Sequence, residues 1–416
     1  MGKTVIEKII QQHTTEEVSP GKIVWMDLDI RSARDFGGPN VVRNYQREYG
    51  NKKVDDPKKT FFTFDLCVPA CSLKYADNQQ ICRDFAKKHN FRVFDVDKGI
   101  GSHVLIEEGL AGSGKTVVGT DSHMNILGAV GAFGQGMGDV DITFAFRTGK
   151  TWFEVPETIK IFLKGNLSPL VSPKDLTLHI IKVLGTEKAA LKAVEFYGEP
   201  VCRLSLAGRI TLCSMVTEMA GIIGFIPEYE SVFSEEMKTL IGKDFKHIEA
   251  DEGASYDETI EIDVSGIGPQ VAAPFLPTNV FDVKELKQVS IDSGFIGSCT
   301  NGRIEDYREA ARILKGRKVK EGIMLRTAPA TRRVYKELLE EGLINTLFES
   351  GVIIGNPGCG GCAEGHMGLT GAGEVQVSTG NRNFKGKQGK GKTYLASPAV
   401  VAASCIKGHI AEPEDL

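Results

Sequence analysis

The 416-residue chain carries 50 Lys and Arg against 54 Asp and Glu, a net charge of −4, which argues against a basic nucleic-acid-binding surface. With 41% hydrophobic and 25% charged residues it has a globular composition, which excludes disordered, collagen-like and disulfide-scaffold classes and predicts two to three domains. An odd count of nine cysteines, and an amino terminus whose apolar positions are interrupted by charge, predict a reduced, soluble, cytoplasmic protein with no membrane partner. In chain order, 22–30, 60–68, 91–96 and 115–119 read as strands, and 72–89 as a helix between two of them. Such alternation predicts an α/β fold with a first domain over 1–156. A middle domain over 157–283 holds a helix opened by Ser172-Pro173, with Asp175 in its first turn, and a longer helix over 203–222. From 284 to 416 the rhythm returns, with VSIDSGFIG, a helix from Asn301, GIMLRTA, a helix over 332–341 and GVIIGN. No Pro/Ser-rich linker separates these units, so they are expected to pack around a shared cleft.

Residues 109–116, GLAGSGKT, satisfy the phosphate-loop pattern, but their context is reversed. Anion binding there needs a strand before the loop and a helix after it, so that backbone N–H groups converge on the phosphate. Here HVLIEE before the loop reads as a helix and the β-branched TVVG after it as a strand, so the segment is expected to be a surface turn.

The third domain offers Cys299 in IGSCTNGR, then Cys359 and Cys362 in NPGCGGC. Glycines inside a C-x-x-C pair let two thiolates turn to one centre, and a third cysteine at a strand end can join them. Three sulfur ligands fit an iron–sulfur cluster with one iron open to substrate. Structural zinc, with His366 as a fourth ligand, and a redox C-x-x-C pair are the alternatives. The other six cysteines, at 67, 71, 82, 202, 213 and 405, read as buried packing residues.

At these residues the sequence resembles the aconitase superfamily, on the branch of the large subunits of 3-isopropylmalate dehydratase and homoaconitase. The likeness spans essentially the whole chain. It rests on IVWMDLDI, GTDSH, LGAVGAFGQGMGDVD, GKTWFEVPETIK, IGSCTNGR, NPGCGGC, STGNRNFKGKQG and YLASPAVVAAS. It implies three α/β/α domains around a central cleft, a [4Fe-4S] cluster on Cys299, Cys359 and Cys362, and a hydro-lyase acting on a hydroxy di- or tricarboxylic acid in amino-acid biosynthesis, leucine synthesis first. With the chain ending at Leu416, the swivelling domain is expected on a separate small subunit that carries the family's serine base and a carboxylate-binding arginine. By the same likeness Asp65, Asp121, Ser122, His123 and Glu218 are the expected catalytic residues. Arg34, Ser102, His103, Ser214, Asn381, Arg382 and Lys387 are the expected substrate-binding ones.

The sequence also departs from the family's pattern. Where the family reads Phe-Asp-His, the chain has Phe64-Asp65-Leu66, and a usual histidine after Gly-Ile-Cys is replaced in Gly99-Ile100-Gly101-Ser102-His103. A one-residue shift could let His103 stand in. Ser214 replaces an asparagine four residues before Glu218, Lys387 an arginine, and Arg34 a histidine or glutamine. Intact cluster ligands beside changed proton-handling residues leave three expectations: 3-isopropylmalate dehydration, another hydroxy acid of the homoaconitase or dimethylmalate type, or a cluster-binding sensor without turnover.

Overall fold

The computed structural model describes residues 2–243, 245–362 and 366–416, with the backbone alone at Cys362. Three sheets carry the chain. The first has five parallel strands in the order Arg92–Phe94, Thr60–Thr63, Ile30–Arg34, Thr116–Gly119, Phe133–Gly136. Four parallel strands make the second, in the order Ile223–Phe225, Ala193–Tyr197, Thr158–Lys164, Glu258–Asp263. The third has seven strands, of which Lys392–Ala396, Val375–Ser378, Ser293–Gly297, Met324–Ala328 and Ile353–Ile354 run parallel. Its remaining strands, Gln270–Ala272 and Val280–Asp282, are antiparallel. They precede residue 284, so the third sheet draws on chain expected to belong to the middle domain.

The expected strand over 22–30 is two strands. Ile23–Asp27 alternates exposed and buried and pairs antiparallel with Lys150–Glu154 as a separate ribbon, whereas Ile30–Arg34 is buried throughout, as the centre of a parallel sheet requires. The chain turns between them, where Leu28 and Asp29 amides donate to the Gly149 and Thr116 carbonyls. Helix boundaries follow local chemistry. Ser72 accepts the Tyr75 amide and opens Leu73–His89, and Ser172 with Asp175 closes a capping box on Pro173–Leu184. The segment before GLAGSGKT is the helix Gly101–Glu107 and the one after it the strand Thr116–Gly119.

The units meet closely. A Cβ at Gly99 would lie 2.2 Å from the Ala330 carbonyl, and Gly99 has φ +99°, so only glycine lets the first unit's loop lie on the third's. At Gly128 a Cβ would lie 1.8 Å from the Gly224 carbonyl, which seals the first unit on the second. One apolar cluster runs through all three, from Ile30 and Leu127 through Ile161 and Ile210 to Cys299 and Cys359. Among the described residues no helix is long and apolar enough to cross a membrane.

Candidate active site

Strand ends of the first sheet deliver the site's charged residues. Arg34 ends one strand, Asp65 follows the next, and Asp121 to His123 follow Thr116–Gly119. Asp65 and Asp121 share a single guanidinium: Arg34 Nε donates to Asp65 Oδ1 at 2.7 Å and Arg34 NH1 to Asp121 Oδ1 at 2.9 Å. Gly101 N also donates to Asp65 Oδ2 at 2.9 Å. The two carboxyls diverge. Burial, with Asp35 and Asp121 nearby, overcomes Arg34 and lifts Asp65 to about 7. Burial also pushes Asp121 upward, but Arg34 and His123 outweigh it and the net shift is downward. Divergent carboxyls on one cation are a means of assigning one group a proton and leaving the other ionised.

A second chain of contacts starts at His123. Its Nε2 lies 2.9 Å from Glu218 Oε1 and 2.9 Å from Asn381 Nδ2. One ring nitrogen donates to the carboxylate or accepts from the amide, so this node has two hydrogen-bonding states, one for each form of Nε2. Arg382 Nε donates to the same Glu218 oxygen at 2.6 Å and its NH1 to Ser122 Oγ at 3.3 Å, which holds the arginine at the edge of the site with its side chain 18% exposed. Asn381 Nδ2 also donates to Cys299 Sγ at 3.2 Å, linking the histidine to the cysteine loop.

Several expected site residues lie elsewhere than their spacing suggested. Glu218 is on the 3₁₀ turn Val216–Met219, because the helix stops at Met215. Ser214, expected beside Glu218, donates instead to Thr211 O and Thr300 Oγ1, tying its helix to the loop after Cys299. His103 does not take over the missing histidine's carboxylate: Nε2 donates to the Cys299 carbonyl at 2.9 Å, and burial holds the ring neutral with a pKa of about 3. Ser102 Oγ and His103 Nδ1 are buried with no hydrogen-bond partner among the described residues. Lys387 is half-buried beside a small recess lined by Ser298, Asn381 and Arg382.

Two residues that sequence reading passed over organise the site. Asp35 accepts the amides of Asp65, Leu66 and Cys67 and a Gln79 amide N–H, so it builds the turn on which Asp65 stands. Lys174, fully buried, donates to the Thr379 and Gly380 carbonyls at 3.2 and 2.8 Å and fixes the backbone just before Asn381. Burial lowers its pKa to about 7. A clue for Asp35 lay in its place directly after Arg34 at a strand end; for Lys174 nothing local marked it.

Cys299 and Cys359 are each 1% exposed, and the Cys359 amide donates to the Asp65 carbonyl at 2.9 Å. The side chain of Cys362 lies outside the described residues. Soft sulfur in a glycine-rich, buried turn, with an amide N–H already on one sulfur, fits an iron–sulfur cluster. His366, the zinc alternative's fourth ligand, has its Nδ1 accepting from Met367 N at 2.9 Å. Of the six cysteines expected to pack in cores, Cys67, Cys82, Cys213 and Cys405 do, whereas Cys71 is exposed and Cys202 half-buried. Cys71 sits one residue before the Ser72 cap, in a run of exposed residues over 71–74.

Fold and site together define an α/β protein of the aconitase type. The model of the aconitase family (aconitate hydratase) matches residues 7–290 and 282–408, and the chain belongs to that family of hydro-lyases. Among curated relatives it is 42% identical over 420 residues to the 3-isopropylmalate dehydratase large subunit of Hydrogenobaculum sp., covering 100% of this chain and 99% of that one. It is 41% identical over 421 residues to the protein of the same name in Moorella thermoacetica, covering all of both chains. With 3-isopropylmalate dehydratase large subunit 1 of Methanopyrus kandleri it is 41% identical over 416 residues, covering 99% of each chain. The crystal structure of Thermococcus kodakaraensis aconitase X in its holo-form matches with a TM-score of 0.52 at 13% identity, covering 86% of this chain and 84% of that one, a likeness of fold.

Proposed function

We propose that this chain is the large, cluster-holding subunit of a cytoplasmic 3-isopropylmalate dehydratase-type hydro-lyase, which removes and re-adds water on a hydroxy di- or tricarboxylic acid. Full-length identity of 40–42% to relatives of that name carries the reading. Cys299, Cys359 and Cys362 would hold a [4Fe-4S] cluster, which when bound supplies a Lewis-acidic iron for the substrate's hydroxyl and carboxylate.

The chain's own residues supply the rest. Arg382, held by Glu218 and Ser122, offers a guanidinium at the mouth for a substrate carboxylate. His123 moves a proton at Nε2, with Glu218 2.9 Å away orienting the ring. Asp65, lifted to about 7, can carry a proton near neutrality while Asp121, held down by Arg34, stays ionised. Asn381 spans His123 and Cys299, so the proton carrier and the cluster ligand are placed by one amide. A small subunit would bring the swivelling domain and the remaining substrate contacts.

A second reading has support in Arg34 and Leu66. The cation at Asp65 comes from Arg34, and Leu66 lies in the apolar cluster of Cys299 and Cys359. This arrangement suits a different hydroxy acid of the homoaconitase or dimethylmalate type. One experiment separates the readings. The anaerobically reconstituted two-subunit complex is assayed on 3-isopropylmalate, homocitrate and dimethylmalate, with iron and sulfide measured on wild type and Cys359→Ser. The main reading expects turnover of 3-isopropylmalate and loss of iron in the variant. Turnover of another acid alone selects the second reading, and stoichiometric zinc in place of iron overturns both.

A further inference from the structure

We propose that Cys67 and Cys71 form a redox-active dithiol, closed to a disulfide by a hydroperoxide, on the turn that carries Asp65. Their sulfurs are 3.5 Å apart, and the Cys71 amide donates to Cys67 Sγ at 3.2 Å. A disulfide needs about 2.05 Å between sulfurs, so closure asks for an approach of about 1.5 Å. Exposure is divided between the two: Cys71 is open to solvent and Cys67 is buried. That division assigns the roles of a peroxide-reacting thiol and a resolving thiol.

The chemistry balances with the peroxide as oxidant. The Cys71 sulfur takes the terminal oxygen of ROOH as the O–O bond breaks, giving a sulfenic acid and ROH. The Cys67 thiol then attacks that sulfur, forming the S–S bond and releasing water. Two thiols lose two electrons, which the peroxide gains, and an external dithiol reverses the change.

Surroundings of the pair decide what closure moves. The amides of Asp65, Leu66 and Cys67 are fixed on Asp35, and Gln79 Nε2 donates to the Cys67 carbonyl at 2.9 Å. Cys67 is therefore the anchored end. Displacement falls on Cys71 and the residues leading to Ser72, and Asp65 keeps its bonds to Arg34 and Gly101. The same turn supports Cys359 through the Asp65 carbonyl. Cys71 is exposed whereas Cys299 and Cys359 are buried, so the exposed thiol meets the peroxide ahead of them. Cys82, Cys213 and Cys405 are poor competitors, since they are buried and burial raises their thiols, the last two up to about 12, and burial with Glu228 nearby also raises the half-buried Cys202 thiol. None of this depends on which acid the enzyme dehydrates.

The test uses the full chain, prepared anaerobically, titrated with hydrogen peroxide, quenched with iodoacetamide and mapped by peptide mass. The expected result is loss of two hydrogens across Cys67 and Cys71, reversed by dithiothreitol, at a dose that leaves Cys299 and Cys359 unoxidised. Cys67→Ala should instead leave a sulfenic acid on Cys71, trapped by dimedone. Cys71→Ala, a surface change that should not disturb folding, should leave Cys67 reduced at that dose. Cys71 still alkylated after a dose that oxidises Cys299 or Cys359, or a disulfide formed only among other cysteines, overturns the proposal. Melting is not the readout, because so short a loop constrains the unfolded chain little.

Discussion

Arg34 balances two buried carboxylates with one guanidinium, which makes it the residue on which the site's charge depends. A buried pair stripped of one member leaves an uncompensated charge, at a cost of about 3–5 kcal/mol. Arg34→Gln should therefore destabilise the chain strongly. The pH dependence has a definite sign. Without the cation the folded pKa of Asp65, already about 7 in the wild type, rises further and that of Asp121 loses what holds it down, and buried carboxyls raised in this way lose stability as pH rises through the unfolded and then the folded value. The loss in Arg34→Gln should thus be larger near pH 8 than near pH 5, read by urea denaturation at both. A single Arg34→Gln chain as stable as wild type at both pH values would show that the guanidinium does not neutralise this pair.

Elements of the middle unit show how a buried base shapes pH stability. Arg209, on the helix Leu206–Met215, donates to the carbonyls of Cys202, Leu204, Ile226 and Glu228 and lies 4.2 Å over the Phe233 ring. Beside it His247 packs on Tyr229 and Phe245, with Nδ1 donating to the Ile248 carbonyl and Nε2 buried without a partner among the described residues. Burial lowers its pKa to about 4 from the usual 6.5. The unfolded chain takes up this proton below about 6.5 and the fold only below about 4, so stability is lost as pH falls through that window, by up to about 3 kcal/mol. His247→Gln keeps an amide donor for Ile248 and does not titrate. Its stability should fall less than wild type's between about pH 7 and pH 4.5; an unchanged difference would mean that His247 is already protonated in the fold. Local elements like these were largely legible in the sequence. Ser72 and Ser172 announce their helices, and the strand ends before Asp121 and Cys299 follow from β-branched runs closed by glycine. What escaped were pairings between distant positions: Arg34 with Asp121 across 87 residues, and Lys174 with Thr379 across 205. No periodicity encodes such contacts. The two-strand break at Leu28-Asp29 escaped for a related reason, since its cause is a pairing with Lys150–Glu154 far along the chain.

At the scale of the whole molecule the site belongs to no single sheet. The first sheet supplies Arg34, Asp65, Asp121 and His123, the second unit supplies Glu218 and Lys174, and the third supplies Cys299, Cys359, Asn381 and Arg382. Contacts across the seams therefore act on chemistry as well as on stability. The first and third units are joined by His103 on the Cys299 carbonyl, Arg303 on Glu107 and Arg332 on Asp97. The second and third are joined by Lys174 on Thr379 and Gly380, and by the Gln270 amide on Asp175. Lys174 is the informative one to remove, because its two acceptors immediately precede Asn381. Lys174→Met keeps the length and fills the space. It removes a buried cation, which spares its desolvation cost, and leaves two carbonyls unpaired, which costs about 1–3 kcal/mol each. These terms oppose one another, so the melting temperature should move little. Activity should not be spared, because a shift of about 1 Å in a reacting group's support costs on the order of 10²-fold in rate. The reconstituted complex carrying Lys174→Met should therefore lose about 10²-fold in kcat/KM with its iron content unchanged. Equal losses in melting and activity would make Lys174 a general stabiliser, and full activity would mean that Asn381 is positioned by His123 and Cys299 alone.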